Sequence, residues 1–260
     1  MGQIFAIANQ KGGVGKTTTC VNLAASLVAI KKKVLLIDLD PQGNATMGSG
    51  IDKNEVPYTA YDVLIDHITI DQAKQFSPSG HYDVLSSNGD LTAAEVELFN
   101  KDNKEFRLRT ALESVKDQYH YVLIDCPPSL NMLTVNALAA SDSVLIPMQC
   151  EYYALEGLTS LVNTIQQIQL RTNPALSIAG ILRTMYDPRN TLTVDVSDQL
   201  KSHFGDKVYQ ACIPRNIRLA EAPSFGQPAL KYDRQSKGAI AYLALAGEFV
   251  RRSEISRQAG

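Results

Sequence analysis

Residues 9–19, Asn9-Gln10-Lys11-Gly12-Gly13-Val14-Gly15-Lys16-Thr17-Thr18-Thr19, are the part of this 260-residue chain best suited to chemistry, and that chemistry is phosphate binding. Glycines let a loop turn tightly and aim successive N–H groups inward. A helix that follows adds the positive end of its dipole, so a β-phosphate can be held largely by main chain. The nucleotide-binding set read from this P-loop is Lys11, Gly12, Gly13, Val14, Gly15, Lys16, Thr17 and Thr18. Lys16 is placed to reach the β- and γ-phosphates and the Thr17 hydroxyl to ligate Mg2+. The usual G-x-x-x-x-G-K-[ST] pattern fails at its first position, where Gln10 stands, and an extra lysine, Lys11, lies beside it.

Three carboxylates extend the site. The apolar runs Val34-Leu35-Leu36-Ile37 and Tyr121-Val122-Leu123-Ile124 each end in an aspartate, Asp38 and Asp125. Two strands ending this way set both carboxylates at the carboxyl edge of a sheet, where open α/β folds bind ligands, so Asp38 and Asp125 join Thr17 as the expected metal group. Asp40, two residues beyond Asp38, is the candidate for positioning the attacking water, with Lys11 and Lys16 neutralising charge in the transition state. The alternative for Asp40 is an N-cap or Asx-turn residue before Pro41.

Such a site needs strands to present it and helices to cover them. Runs rich in Val, Ile and Leu predict strands over 4–9, 33–38, 82–86, 121–125, 143–148, 178–185 and 207–213. Apolar spacing of three and four predicts helices over 16–30, 92–116, 131–140, 155–171, 192–204 and 236–252. The β-α-β series predicts an α/β fold: a mostly parallel, doubly wound sheet flanked by helices. Residues 48–57 read as a surface loop. With no Pro/Gly/Ser linker and no repeat, 1–260 is expected to form a single domain, without an N-terminal helix-turn-helix.

Composition narrows the classes further. Hydrophobic residues make up 45% and charged residues 20%, which excludes disordered and collagen-like chains. No apolar run approaches the ~20 residues of a membrane span, and the chain opens without a basic leader, so a cytoplasmic protein is expected. Cys20, Cys126, Cys150 and Cys212 are far apart and form no C-x-x-C pair, which predicts reduced thiols rather than a disulfide framework. The net charge of −2 hides an asymmetry, because residues 201–260 hold 10 Lys/Arg against 5 Asp/Glu. A basic quarter on an acidic chain is either a solvated face or a surface for an anionic partner.

Residues 11–19, 38–46, Asp125-Cys126-Pro127-Pro128-Ser129, 149–157 and 213–226 together resemble ParA/Soj chromosome-partitioning ATPases, and the similarity spans the whole chain. The loop is similar to the deviant Walker A motif, whose early lysine, here Lys11, crosses a dimer interface to touch the partner's nucleotide. The resemblance implies a homodimer formed with ATP and Mg2+ that binds double-stranded DNA without sequence preference. It further implies hydrolysis stimulated by a ParB/Spo0J-type centromere-binding protein, and a location on the nucleoid. Pro214 and Asn216 are implied at the adenine, Glu151 near the dimer face, and Arg189 and Arg218 on DNA. From residue type alone, Pro214 is a strand terminator and Asn216 a turn or N-cap residue. Lys201, Lys207, Arg234 and Lys237 are expected to extend the basic patch, with no aromatic interleaving. The alternative is a MinD-like membrane-associated ATPase. Its terminal amphipathic helix is not matched by residues 248–260, which hold few large apolar side chains, so no stable membrane binding is expected. Iron proteins need cluster cysteines, and Cys126 alone lies near a switch segment.

Overall fold

A computed structural model describes residues 2–259; Met1 and Gly260, the ends of the stretch read as one domain, lie outside the described residues. Eight strands form one sheet: β1 (Gln3–Ile7), β2 (Val34–Asp38), β3 (Gln75–Phe76), β4 (Asp83–Leu85), β5 (Tyr121–Asp125), β6 (Ser143–Gln149), β7 (Ser177–Tyr186) and β8 (Val208–Pro214). Their order is β3-β4-β2-β5-β1-β6-β7-β8, parallel throughout except for β3, which pairs antiparallel with β4. The helices are α1 (Lys16–Ala29), α2 (Asn44–Gly48), α3 (Ala60–Leu64), α4 (Ile70–Ala73), α5 (Leu91–Phe99), α6 (Arg107–Leu112), α7 (Met132–Ala140), α8 (Ala154–Arg171), α9 (Thr191–Phe204), α10 (Ile217–Glu221), α11 (Ala229–Tyr232) and α12 (Lys237–Ala259).

Side-chain alternation divides the core into two layers. On β1, Ile4 and Ala6 face the layer under α3, α5, α6, α7, α8 and α9, while Phe5 and Ile7 face the layer under α1 and α12. β2 and β5 alternate in the same way, with Ile37 and Ile124 on the first face and Leu36 and Leu123 on the second. Both faces being covered explains why these strands read as unbroken apolar runs.

All seven expected strands form, each within two residues of its predicted bounds. The helix expected over 92–116 does not. It breaks into α5, a 3-10 turn over Lys104–Phe106, and α6. Asn103 adopts a left-handed φ of 52°, and Asn136 from α7 accepts from the Leu108 amide while donating to the Lys104 carbonyl. A side chain 28 residues away therefore caps the second piece, which a periodicity reading cannot see. Residues 48–57 are less free than a surface loop: Ile51 is buried, and the Ser49 carbonyl accepts from Ser77 and Ser79.

The chain crosses from β1 to β2 on one side and continues to β6, β7 and β8 on the other. The loop after β1 thus lies at the topological switch point, beside the carboxyl ends of β2 and β5.

Candidate nucleotide-binding site

The loop from Asn9 to Gly15 leaves β1 at that switch point and enters α1. Gly15 precedes the helix with φ 88°, a conformation that would strain any residue carrying a Cβ. Asn9 anchors the loop by accepting from the Lys11 amide and donating to the Pro147 carbonyl, and Thr184 Oγ1 donates to the Val14 carbonyl.

The two lysines diverge. Lys16 is 7% exposed, and its Nζ donates to the Lys11 carbonyl at 3.3 Å. Burial pulls its ammonium below the ordinary value, opposed by the nearby charges of Asp125 and Asp40. Lys11 runs outward, with its side chain 48% exposed, to pair with Glu151. One lysine thus lines the cradle and the other leaves it.

The carboxylates separate by environment. Asp125 is fully buried; its Oδ1 accepts from the Cys20 thiol, its Oδ2 has no partner, and the Thr17 hydroxyl lies close enough to favour its charged form. An orphaned buried carboxylate oxygen beside a threonine hydroxyl is a hard-oxygen donor set that fits Mg2+. That ion takes few protein ligands and completes its shell with phosphate oxygens and water. No group of three or more His, Cys, Asp or Glu able to hold a metal occurs among the described residues. Asp38, equally buried, has both oxygens engaged: Oδ1 accepts from the Asp40 amide, and Oδ2 from the amide and hydroxyl of Thr46. Thr17 and Asp125 are therefore brought together, while Asp38 faces its own loop. Asp40 accepts from the Gln42 amide, which is the turn role foreseen for it, and its charge is felt by Lys16 and Asp125.

Burial raises the carboxyls of both Asp38 and Asp125 well above the ordinary 3.8, and for Asp125 the charge of Asp38 adds to it. The folded pair then holds a proton that the unfolded chain has released. The associated stability is present below about pH 4 and is lost as pH rises toward the raised values. We expect the ligand-free protein to lose Tm across that window and Asp125→Asn to flatten the slope. Parallel Tm curves for the two proteins would refute the assignment.

A cavity of about 180 Å³ adjoins the P-loop, lined by Gly15, Thr18, Pro214, Asn216, Met185 and Tyr242 among others. Pro214 ends β8 and Asn216 caps α10 by accepting from the Arg218 amide, so the plain structural readings hold, and both residues also line this cavity. Thr184, Met185 and Tyr242 carry no motif, and sequence reasoning missed them.

Tyr186 is in register with Pro214, so the loops carrying Arg189 and Arg218 leave the sheet side by side. Arg189, 88% exposed, makes a two-pronged pair with Asp187, and Arg218 pairs with Glu221 and Asp233. Arg234 and Lys237 are exposed nearby in the chain. Lys207 does not extend this patch. Lys207 precedes β8 whereas Arg218 follows it, and the seven residues of β8 separate the two edges by roughly 20 Å. Beside Arg218, exposed Phe225 stacks on Tyr232 at 5.0 Å, and the Tyr232 hydroxyl donates to Glu221, which pairs with Arg218.

Residues 2–178 match the protein family described as "AAA domain". The sporulation initiation inhibitor protein Soj of Bacillus subtilis is 53% identical over 248 residues, covering 95% of this chain and 98% of its own length. The chromosome partitioning protein ParA of Caulobacter vibrioides is 51% identical over 259 residues, covering 99% and 97%. Among solved structures, cobyrinic acid a,c-diamide synthase of Mycobacterium smegmatis with bound ADP and magnesium superposes with a TM-score of 0.86 at 36% identity, covering 98% and 96%.

Proposed function

We propose that this chain, which belongs to the ParA/Soj family of chromosome-partitioning ATPases, forms an ATP-sandwich dimer that binds duplex DNA without sequence preference and hydrolyses ATP when a ParB/Spo0J-type partner stimulates it. The chain is an ATPase with Mg2+ as its cofactor. Mg2+ held at this site would supply charge neutralisation for the transferred phosphoryl group. Lys16 and the P-loop amides hold the β- and γ-phosphates, and Asp125 with Thr17 supplies the metal's protein oxygens. Asp40 orients a water in line with the γ-phosphorus. Attack forms the new P–O bond as the bond to the bridging oxygen breaks, giving ADP and dihydrogen phosphate, which keeps the water's two protons. Residues 1–260 act as one ATPase unit at the nucleoid.

The observation that carries this reading is the outward course of Lys11. A lysine that leaves its own cradle for an exposed position can serve a second subunit's nucleotide. We expect Lys11→Ala to bind ATP and remain a monomer by light scattering, while the parent dimerises in ATP. An ATP-bound dimer of Lys11→Ala would remove Lys11 from the interface.

DNA binding rests on two arginine loops at one sheet edge, doubled by dimerisation. Phosphate contacts of this kind give affinity that falls steeply with salt and varies little with sequence.

A further inference from the structure

Between Asp38 and Thr46 the chain makes a short excursion that carries Asp40 and returns, and both ends meet at one buried point. Thr46 is fully buried, eight residues after Asp38. Its hydroxyl donates to Asp38 Oδ2 at 2.8 Å and at the same time accepts from the Ser87 amide at 2.9 Å. Its own amide donates to the same carboxylate oxygen at 2.8 Å. Ser87, which follows β4, donates its hydroxyl to the Asp40 carbonyl at 2.8 Å, and the Asp40 amide donates to Asp38 Oδ1 at 3.1 Å. The main chain of Asp40 is therefore gripped on both sides, by Asp38 through its N–H and by Ser87 through its C=O.

We propose that Thr46 is a positioning residue for ATP hydrolysis, locking Asp38 and Ser87 into the frame that fixes Asp40. The chemistry of the hydroxyl makes this specific. One oxygen must donate to a carboxylate and accept from an amide, which threonine and serine can do and valine, of nearly the same shape, cannot. Gly43 closes the excursion: at φ 63° it brings its backbone so near to β4's end that a Cβ there would lie 2.6 Å from the Ser87 carbonyl. Ser87 belongs to none of the nucleotide motifs, yet it is fully buried and bonded to this loop at both Thr46 and Asp40. In-line water attack is sensitive to displacements of the orienting group of about 1 Å, which can cost on the order of 100-fold in rate. A loop held at both ends by buried hydrogen bonds suits that demand. Because ATP is bound by the P-loop and not by Thr46, loss of the frame should appear in kcat rather than in affinity.

The inference rests on Asp40 orienting the water, so the test runs Asp40→Ala beside Thr46→Val, Thr46→Ser and Ser87→Ala in the full chain. Readouts are kcat, KM, ATP Kd and Tm. The expected result is a fall in kcat of about 10-fold or more for Thr46→Val with ATP Kd within about 3-fold, recovery of most turnover in Thr46→Ser, and a partial loss in Ser87→Ala. A folded Thr46→Val with parental kcat while Asp40→Ala is inactive would overturn the role of Thr46 alone. So would Thr46→Ser failing as badly as Thr46→Val, which would point to packing of the methyl group. Parental turnover in Asp40→Ala would overturn both this proposal and the role of Asp40.

Discussion

Lys16→Ala should bind ATP on the order of 100-fold more weakly. The side chain is buried in the loop, its ammonium lies among the charges of Asp125 and Asp40, and no neighbouring cation in the cradle can replace it, because Lys11 points away. A charged hydrogen bond to phosphate contributes about 1.5–3 kcal/mol, and the proposed role gives Lys16 contacts to two phosphates, so affinity should fall on the order of 100-fold or more. Main-chain N–H groups of the loop remain, which leaves residual rather than zero binding. Titration of ATP with Mg2+ by calorimetry measures the change. Affinity within about 3-fold of the parent would remove Lys16 from the phosphate site.

Asp40→Ala traps the dimer. A carboxylate close enough to Lys16 and Asp125 for their charges to interact also repels a γ-phosphate, so its presence weakens binding unless it serves the reaction. Removing it should leave ATP affinity unchanged or tighter while turnover falls by about 100-fold, the scale of a lost general-base or water-orienting group. Size-exclusion chromatography in ATP would then show a persistent dimer where the parent returns to monomer. Normal turnover would return Asp40 to the turn role already visible in its bond to the Gln42 amide.

The parts of the site that were legible in the sequence are those built from local backbone chemistry. The P-loop follows from glycines before a helix, and Asp38 and Asp125 from apolar strands that end in a carboxylate. The parts that stayed hidden are joined across the fold. Thr184 meets the P-loop across 170 residues, Tyr242 bonds Thr19 across 223, and Ser87 reaches Thr46 across 41. No spacing rule links such partners. Asp38 shows what spacing leaves out, since both of its oxygens accept from the amides and hydroxyl of the loop that follows. The same reason accounts for Lys207: counting charge along the last quarter says how much there is, and only the strand direction says at which edge it lies.

Gating of duplex DNA binding by ATP is the property on which the proposed function stands. Equilibrium binding of the parent to duplexes of unrelated sequence, with ATP, ADP or no nucleotide across a salt series, measures that gating. Tight binding is expected with ATP alone, with affinities nearly equal across sequences and a steep log–log dependence on salt. Arg189→Ala and Arg218→Ala should each flatten that slope by about 0.9 for every phosphate left without its arginine. Binding that is equal in all three nucleotide conditions, or unchanged in both arginine variants, would rule out ATP-gated DNA binding through these loops.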